Sequence, residues 1–192
     1  MVDIYQKNNE RNGDWIETFT GRQFWPLDPC AEDVCIEDIA HALSLLCRFN
    51  GHCKCFYSVA EHSLLCSELA LRQGLGRRME LLTLLHDASE AFISDVSRPV
   101  KPYVHNFKQI EDQVQQAVLS AFSIAEPSEE EKQLIEEIDV KVLAAEAATL
   151  MPFKNWGLPH PPTDQVTIDA LKPDDAKDSF LTRFQILQST EL

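Results

Sequence analysis

No apolar run in this 192-residue chain approaches the roughly 18 residues that a membrane-spanning helix needs. The polar start of the sequence (Asp3, Lys7, Asn8, Asn9, Glu10, Arg11) lacks the apolar stretch of a secretory signal. Membrane insertion and export are therefore not expected, and the chain reads as cytoplasmic. Basic residues are scarce: 17 Lys and Arg stand against 31 Asp and Glu, a net charge of −14. A chain this acidic repels a nucleic-acid backbone, which argues against a long DNA or RNA duplex as partner. A small phosphorylated ligand must then be held by a local positive centre that overrides the global field. No C-x-x-C pair occurs among the six cysteines, Cys30, Cys35, Cys47, Cys53, Cys55 and Cys66, which read as cytosolic thiols. His52, Cys53 and Cys55 stand close together, but structural zinc normally takes four ligands and no second ligand pair accompanies them. Internal repeats and low-complexity tails are also absent.

What remains is a chain with 44% hydrophobic residues, enough for one sizeable core and too short for two ordinary domains. Trp15–Thr20 and Gln23–Trp25 flank Gly21 and predict a small β-hairpin. After Pro29 the pattern turns helical. Ile36, Ile39, Ala40, Leu43, Leu46 and Cys47 recur every three to four residues and predict a first helix ending at Asn50-Gly51. A second is expected from about Ser58 to Arg72, and a third from Arg77 to about Phe92. Ile110, Val114, Ala117, Val118, Ala121 and Phe122 form the stripe of a fourth. Ser128 to Glu131 reads as a capping box opening a fifth that runs to about Leu150. A Pro/Gly-rich stretch from Pro152 to Pro162 predicts a long loop, and Ala176, Phe180, Leu181, Phe184 and Leu187 a last helix. The expected fold is all-α, a helical bundle with a small N-terminal β-hairpin. It is read as one domain over residues 1–192, with its core at about 30–150 and the hairpin and last helix packed on it.

Histidines with acidic neighbours carry the chemistry. His86-Asp87 closes an apolar helical run, with Glu90 one turn on. His62 lies in a second amphipathic helix, and Asp139 beside an apolar stripe. Two imidazoles and two carboxylates suit a divalent transition metal, and ligands drawn from several helices are how helical bundles build such sites. A bound cation would also supply the positive charge that the chain otherwise lacks. His41, His52, His105 and His160 read as ordinary core or surface histidines. Glu146, two turns beyond Asp139, reads as a solvent-facing salt-bridge residue in preference to a substrate contact or a support for a ligand.

The ordered set Y57-S-V-A-E-H62-S, L85-H-D-A-S-E90, D95-V-S-R-P-V-K101 and I138-D139 resembles the HD-domain metal-dependent phosphohydrolases. The likeness is to the subgroup holding bacterial 5′-deoxynucleotidases and phage or prophage relatives. It covers roughly residues 15–150, and I36-E-D-I-A-H-A-L-S-L-L-C-R-F-N-G-H52 is similar to the phage/prophage branch. The resemblance implies an HD-type bundle in which His62, His86, Asp87 and Asp139 hold one divalent metal ion (Mn, Fe, Co, Zn or Mg). It makes Glu90 and Asp95 the catalytic acids and Arg48 the contact to the substrate phosphate. Phe49 falls where the deoxynucleotidases carry an aromatic residue near the sugar, here Phe in place of Trp, and Lys101 is a further phosphate contact.

Such a centre can polarise a phosphoryl oxygen and activate water, while the planar fork of Arg48 meets non-bridging oxygens. Asp95, in the following loop, is the expected water-orienting acid, and Glu90 the expected tether of a ligand histidine. The expected activity is removal of the 5′-phosphate from deoxynucleoside monophosphates. A triphosphohydrolase is the alternative within the same chemistry, favoured if Arg22, Arg98 or Lys101 adds charge beyond Arg48. A non-catalytic nucleotide-binding helical protein is the alternative outside it. The expected partner is a small phosphorylated nucleotide, and a homodimer is compatible with a helical domain of this size.

Overall fold

The computed structural model describes residues 11–153 and 156–189, so the polar residues Asp3 to Glu10 lie outside the described part. Among the described residues the protein is predominantly helical, with seven α-helices and one two-stranded antiparallel sheet. The hairpin pairs β1 (Ile16–Glu17) with β2 (Gln23–Phe24), Ile16 standing opposite Phe24. Its turn places Gly21 at φ 81°, a left-handed position that glycine takes without a Cβ penalty. Buried Asp38 accepts hydrogen bonds from the Thr20 backbone N–H at 2.7 Å and the Thr20 hydroxyl at 2.9 Å. These bonds tie the hairpin to the first helix.

The helices are α1 (Ile36–Leu45), α2 (Val59–Arg72), α3 (Arg77–Leu84), α4 (Glu90–Ile93), α5 (Phe107–Ala121), α6 (Glu129–Leu150) and α7 (Pro173–Gln188). The Ser128–Glu131 capping box forms in both directions and opens α6, satisfying two backbone donors at once. Ser58 caps α2 by accepting from the Glu61 backbone N–H at 3.1 Å. No helix among the described residues is long and apolar enough to cross a membrane.

Two boundaries differ from expectation. The first helix stops at Leu45, and Asn50-Gly51 lie in a separate 3₁₀ turn, Arg48–Gly51. The third helix, expected to reach Phe92, ends at Leu84. Beyond it the backbone tightens into i→i+3 bonds from Ala88 to Leu85, Glu90 to Asp87 and Phe92 to Ser89. Gln115 on α5 holds this break, its Nε2 donating to the Leu85 carbonyl at 2.7 Å and its Oε1 accepting from the Ser89 N–H at 3.2 Å. A side chain 30 positions away thus replaces the bonds that a continuing helix would make.

The main core joins Ile39, Leu43, Val59, Leu84, Leu85, Val114, Val118 and Phe180, and a second apolar cluster packs Leu65 and Leu69 of α2 on Ile138 and Val142 of α6. Helix α2 therefore lies between both clusters, which makes it the element against which the other site-bearing segments are positioned. Glu61, also on α2 and buried, accepts backbone N–H bonds from Asp169 and Ala170 at 2.9 Å and from Leu171 at 2.7 Å. Glu61→Ala strands these donors and is expected to lower unfolding stability by about 2–4 kcal/mol, read as a reduced urea midpoint with unchanged slope.

Candidate metal centre

The segment before α2 brings the first charged group into place. The Arg48 N–H donates to the Tyr57 carbonyl at 2.8 Å and the Val59 N–H to the Leu46 carbonyl at 3.0 Å, so the chain around Arg48 runs antiparallel beside the entry to α2. Phe49, Asn50 and Gly51 then adopt φ of 57°, 50° and 74°, a left-handed turn that disfavours non-glycine residues by about 1 kcal/mol each. The turn sets the Phe49 ring edge-on to Trp156 at 5.8 Å and 5.6 Å from the Arg48 guanidinium.

Four side chains from three elements converge beside Arg48. His62 Nε2 on α2 lies 3.3 Å from His86 Nε2, 3.1 Å from Asp139 Oδ1 of α6 and 3.7 Å from Asp87 Oδ2. His86 Nε2 is 3.3 Å from Asp87 Oδ2. Neighbouring residues on a regular helix diverge by roughly 100°; the tight turn after Leu84 instead lets His86 and Asp87 face the same point. The helix break that the sequence did not reveal is thus what builds the His-Asp pair.

The other face of each imidazole fixes its tautomer. His62 Nδ1 donates to Glu146 Oε1 at 2.7 Å and His86 Nδ1 to the Thr83 carbonyl at 2.8 Å. With both rings neutral, the two Nε2 atoms would turn lone pairs toward each other and toward two carboxylates. Such an arrangement is repulsive by itself and fits a cation, because donors about 2.1 Å from one ion stand about 2.9–3.6 Å apart. In the absence of an ion, burial and Arg48 depress the His62 pKa. Cys66, Glu146 and the hydrogen bond to Asp139 outweigh them and hold it well above the ordinary value. Burial opposes ionisation of Asp139 as well, yet His62, His86 and Arg48 keep its carboxyl below the usual range. His62 is wholly buried, whereas Asp87 and Asp139 are 22% and 28% exposed, so the centre opens on its carboxylate side.

Glu146 corrects the sequence reading: it is not solvent-facing but fully buried. It receives the His62 bond, a 2.7 Å hydrogen bond from Tyr57 Oη and a 3.0 Å ion pair with Arg48 Nη2. Burial raises its pKa, but Arg48 and His62 bring it down to about 2. The carboxylate that bonds His62 is thus Glu146, while Glu90 Oε1 faces Lys101. Glu146→Gln is expected to weaken divalent-ion binding about 10–100-fold, measured by competition against a chromophoric chelator.

The remaining predicted residues lie around this centre in different states. Glu90 is buried, and burial with Asp87 and Asp95 pushes its carboxyl up to about 9. Asp95, in the loop after α4, is also raised, chiefly by burial against the opposing pull of Arg48. Lys101 is engaged by Glu111 at 2.9 Å and Glu90 at 3.5 Å. Arg22 is remote, bonding the Glu32 carbonyl beside the hairpin at 3.4 Å. Residues the sequence reading passed over are Tyr57, Gln115 and Cys66, the last one helical turn from His62 on the same face. A cleft of about 1040 Å³ between α5 and α6 reaches His86 and Asp139, with Arg98, Gln109, Gln113 and Gln116 on its walls.

Fold and site together define a mostly helical protein with a candidate divalent-metal centre. No protein-family model matches the chain. It is 34% identical over 110 residues to the uncharacterized protein YfdR of Escherichia coli (strain K12). It is 41% identical over 115 residues to an uncharacterized protein of Rhodobacter capsulatus. Each match covers 57% of this chain and 59% of the relative, so the chain spans under two thirds of the length of the curated relatives it matches.

Proposed function

We propose that the protein is a metal-dependent phosphohydrolase of the HD type that removes the 5′-phosphate from deoxynucleoside monophosphates. The observation that carries this reading is the convergence of two imidazoles and two carboxylates, His62 Nε2 lying 3.1–3.7 Å from His86, Asp87 and Asp139 and His86 Nε2 3.3 Å from Asp87, beside the largely buried Arg48 guanidinium. His62, His86, Asp87 and Asp139 would hold one divalent ion. That ion would supply Lewis acidity toward a phosphoryl oxygen and toward water.

The chain's own residues supply the rest. Arg48, anchored by Glu146 at 3.0 Å and near Asp87 at 3.8 Å, keeps a buried Nε–H without a hydrogen-bond partner. That donor is available to a phosphate oxygen without breaking an existing bond. Glu90 Oε2 is likewise buried and unpartnered, and its raised pKa leaves a proton to give to the leaving oxygen near neutral pH. Asp95, in the loop after α4, is the group to orient water, and Phe49 provides an apolar face beside Arg48 for the sugar. Lys101, paired with Glu111 at 2.9 Å, has less charge to offer a phosphate than a free lysine.

The charges of the cleft bear on the choice between a monophosphate and a triphosphate. Its cations are Arg98, Lys108 and Lys132, but Asp112, Glu126 and Glu136 share its walls. Lys108 is paired with Asp112, and Lys132 bonds Glu129 at 2.7 Å. Arg98, with no ion pair among the described residues, is the cation there that would meet a further phosphate, so identification of the released anion decides between the two.

The test is a panel of nucleoside mono- and triphosphates with Mn²⁺, Co²⁺, Zn²⁺, Fe²⁺ or Mg²⁺, with the released anion identified. Inorganic phosphate from monophosphates is the expected product. Released triphosphate would move the assignment to triphosphohydrolase, and no turnover with any ion would contradict catalysis. Acid should weaken ion binding, because a proton on His62 must leave before Nε2 can act as ligand. The elevated metal-free pKa of His62 keeps that competition active above the ordinary imidazole range. Affinity should therefore rise by up to about tenfold per pH unit until that pKa is passed, as chelator competition over a pH series will record.

A further inference from the structure

We infer that Cys66 is an additional, thiolate ligand of the proposed centre, and that it biases the site toward zinc, cobalt and ferrous ions over magnesium and manganese. This rests on the metal reading above and concerns a residue outside the four resemblance-derived ligands. Cys66 follows His62 by four positions on α2, the spacing that places two side chains one above the other on a helix. Its Sγ lies 3.6 Å from His62 Nε2, and the ligand atoms of His62, Cys66 and His86 all fall within 4.8 Å of one another. An ion with an imidazole nitrogen at about 2.0 Å and a thiolate sulfur at about 2.3 Å sets those atoms about 3.1–3.6 Å apart. The observed separation sits at the upper edge of that range without movement of the helix.

Position and chemistry agree. Cys66 is 1% exposed and stands on the closed side of the centre, while Asp87 and Asp139 occupy the side open to solvent. A buried thiol gains nothing from solvent and has His62 Nε2 as its polar neighbour. On loading, the Cys66 S–H bond breaks, its proton leaves to solvent, and the sulfur lone pair binds the ion. Soft sulfur prefers zinc and the later first-row ions to magnesium or manganese, so Cys66 converts an oxygen- and nitrogen-lined site into one that discriminates among divalent ions.

The experiment is absorption spectroscopy of the full-length protein titrated with Co²⁺, with Cys66→Ser and Cys66→Ala alongside. Visible ligand-field bands report occupancy, and a near-ultraviolet sulfur-to-cobalt charge-transfer band reports thiolate ligation. The wild type is expected to show both. Each variant is expected to keep the visible bands, lose the near-ultraviolet band and lower the zinc-to-manganese affinity ratio at least tenfold. Visible bands in the wild type without the near-ultraviolet band, or a near-ultraviolet band that survives both substitutions, would overturn the role of Cys66 while leaving the metal centre intact. Absence of any cobalt spectrum would instead defeat the metal centre itself, and this inference with it. X-ray absorption of the zinc-loaded wild type needs no variant: one sulfur scatterer at about 2.3 Å is expected, and a shell of nitrogen and oxygen alone contradicts the assignment.

Discussion

Asp139→Asn is expected to lower kcat/KM for a deoxynucleoside monophosphate by about 1000-fold while leaving the metal-free protein folded. The substitution keeps the shape of the side chain and removes a charged donor 3.1 Å from His62 Nε2. Because Asp139 is 28% exposed and Asn fills the same space, water can solvate the new amide and the core around Ile138 and Val142 need not shift. Thermal melts separate loss of the ion from loss of the fold. An ion at about 1000 times its dissociation constant stabilises a protein by about 4 kcal/mol, so the wild type should melt higher when the ion is added. The variant should melt at one temperature with or without it. An equal rise in both would place the bound ion elsewhere.

Replacing Arg48 should damage both stability and catalysis, and Arg48→Met separates the two. Its guanidinium lies 3.0 Å from Glu146 Oε2, in a pair whose carboxylate is wholly buried. Burial opposes the charge on Arg48, but Glu146, Asp139 and Asp87 raise its pKa further. Arg48→Met leaves the buried Glu146 carboxylate without its guanidinium partner, held only by Tyr57 and His62, and is expected to lose about 3–5 kcal/mol of stability. Loss of the phosphate donor should lower kcat/KM by a further factor of about 100–1000. Arg48→Lys restores much of the stability through its charge, but its ammonium cannot span Glu146 and a phosphate oxygen together. Its catalytic defect should therefore persist when its urea midpoint has recovered. If Arg48→Lys regains both in parallel, the residue supports the core and does not meet substrate.

The parts of the molecule that were legible in the sequence are those governed by local rules. Hydrophobic spacing marked the helix faces, Gly21 marked the hairpin turn, and Ser128 with Glu131 marked the start of α6, because each signal is contained within a few residues. What escaped depends on partners far along the chain. Nothing between Leu84 and Glu90 breaks a helix by composition; the break is held by Gln115 of α5, and the convergence of His86 with Asp87 follows from it. Glu146 looked like one more acid on an acid-rich helix, since its three partners, Arg48, Tyr57 and His62, lie 84 or more positions away. Cys66 was legible in principle as the i+4 neighbour of His62, but an aliphatic-like thiol on a buried face gives no sign of its direction until the fold is known.

The most direct measurement of the central claim is an anomalous-difference map from crystals grown with Mn²⁺ or Zn²⁺. The account predicts one strong peak per chain, within about 2.0–2.3 Å of His62 Nε2 and His86 Nε2 and in contact with the carboxylates of Asp87 and Asp139. A map empty at that point, with the imidazoles turned away from each other or peaks only on the acidic surface, would contradict it.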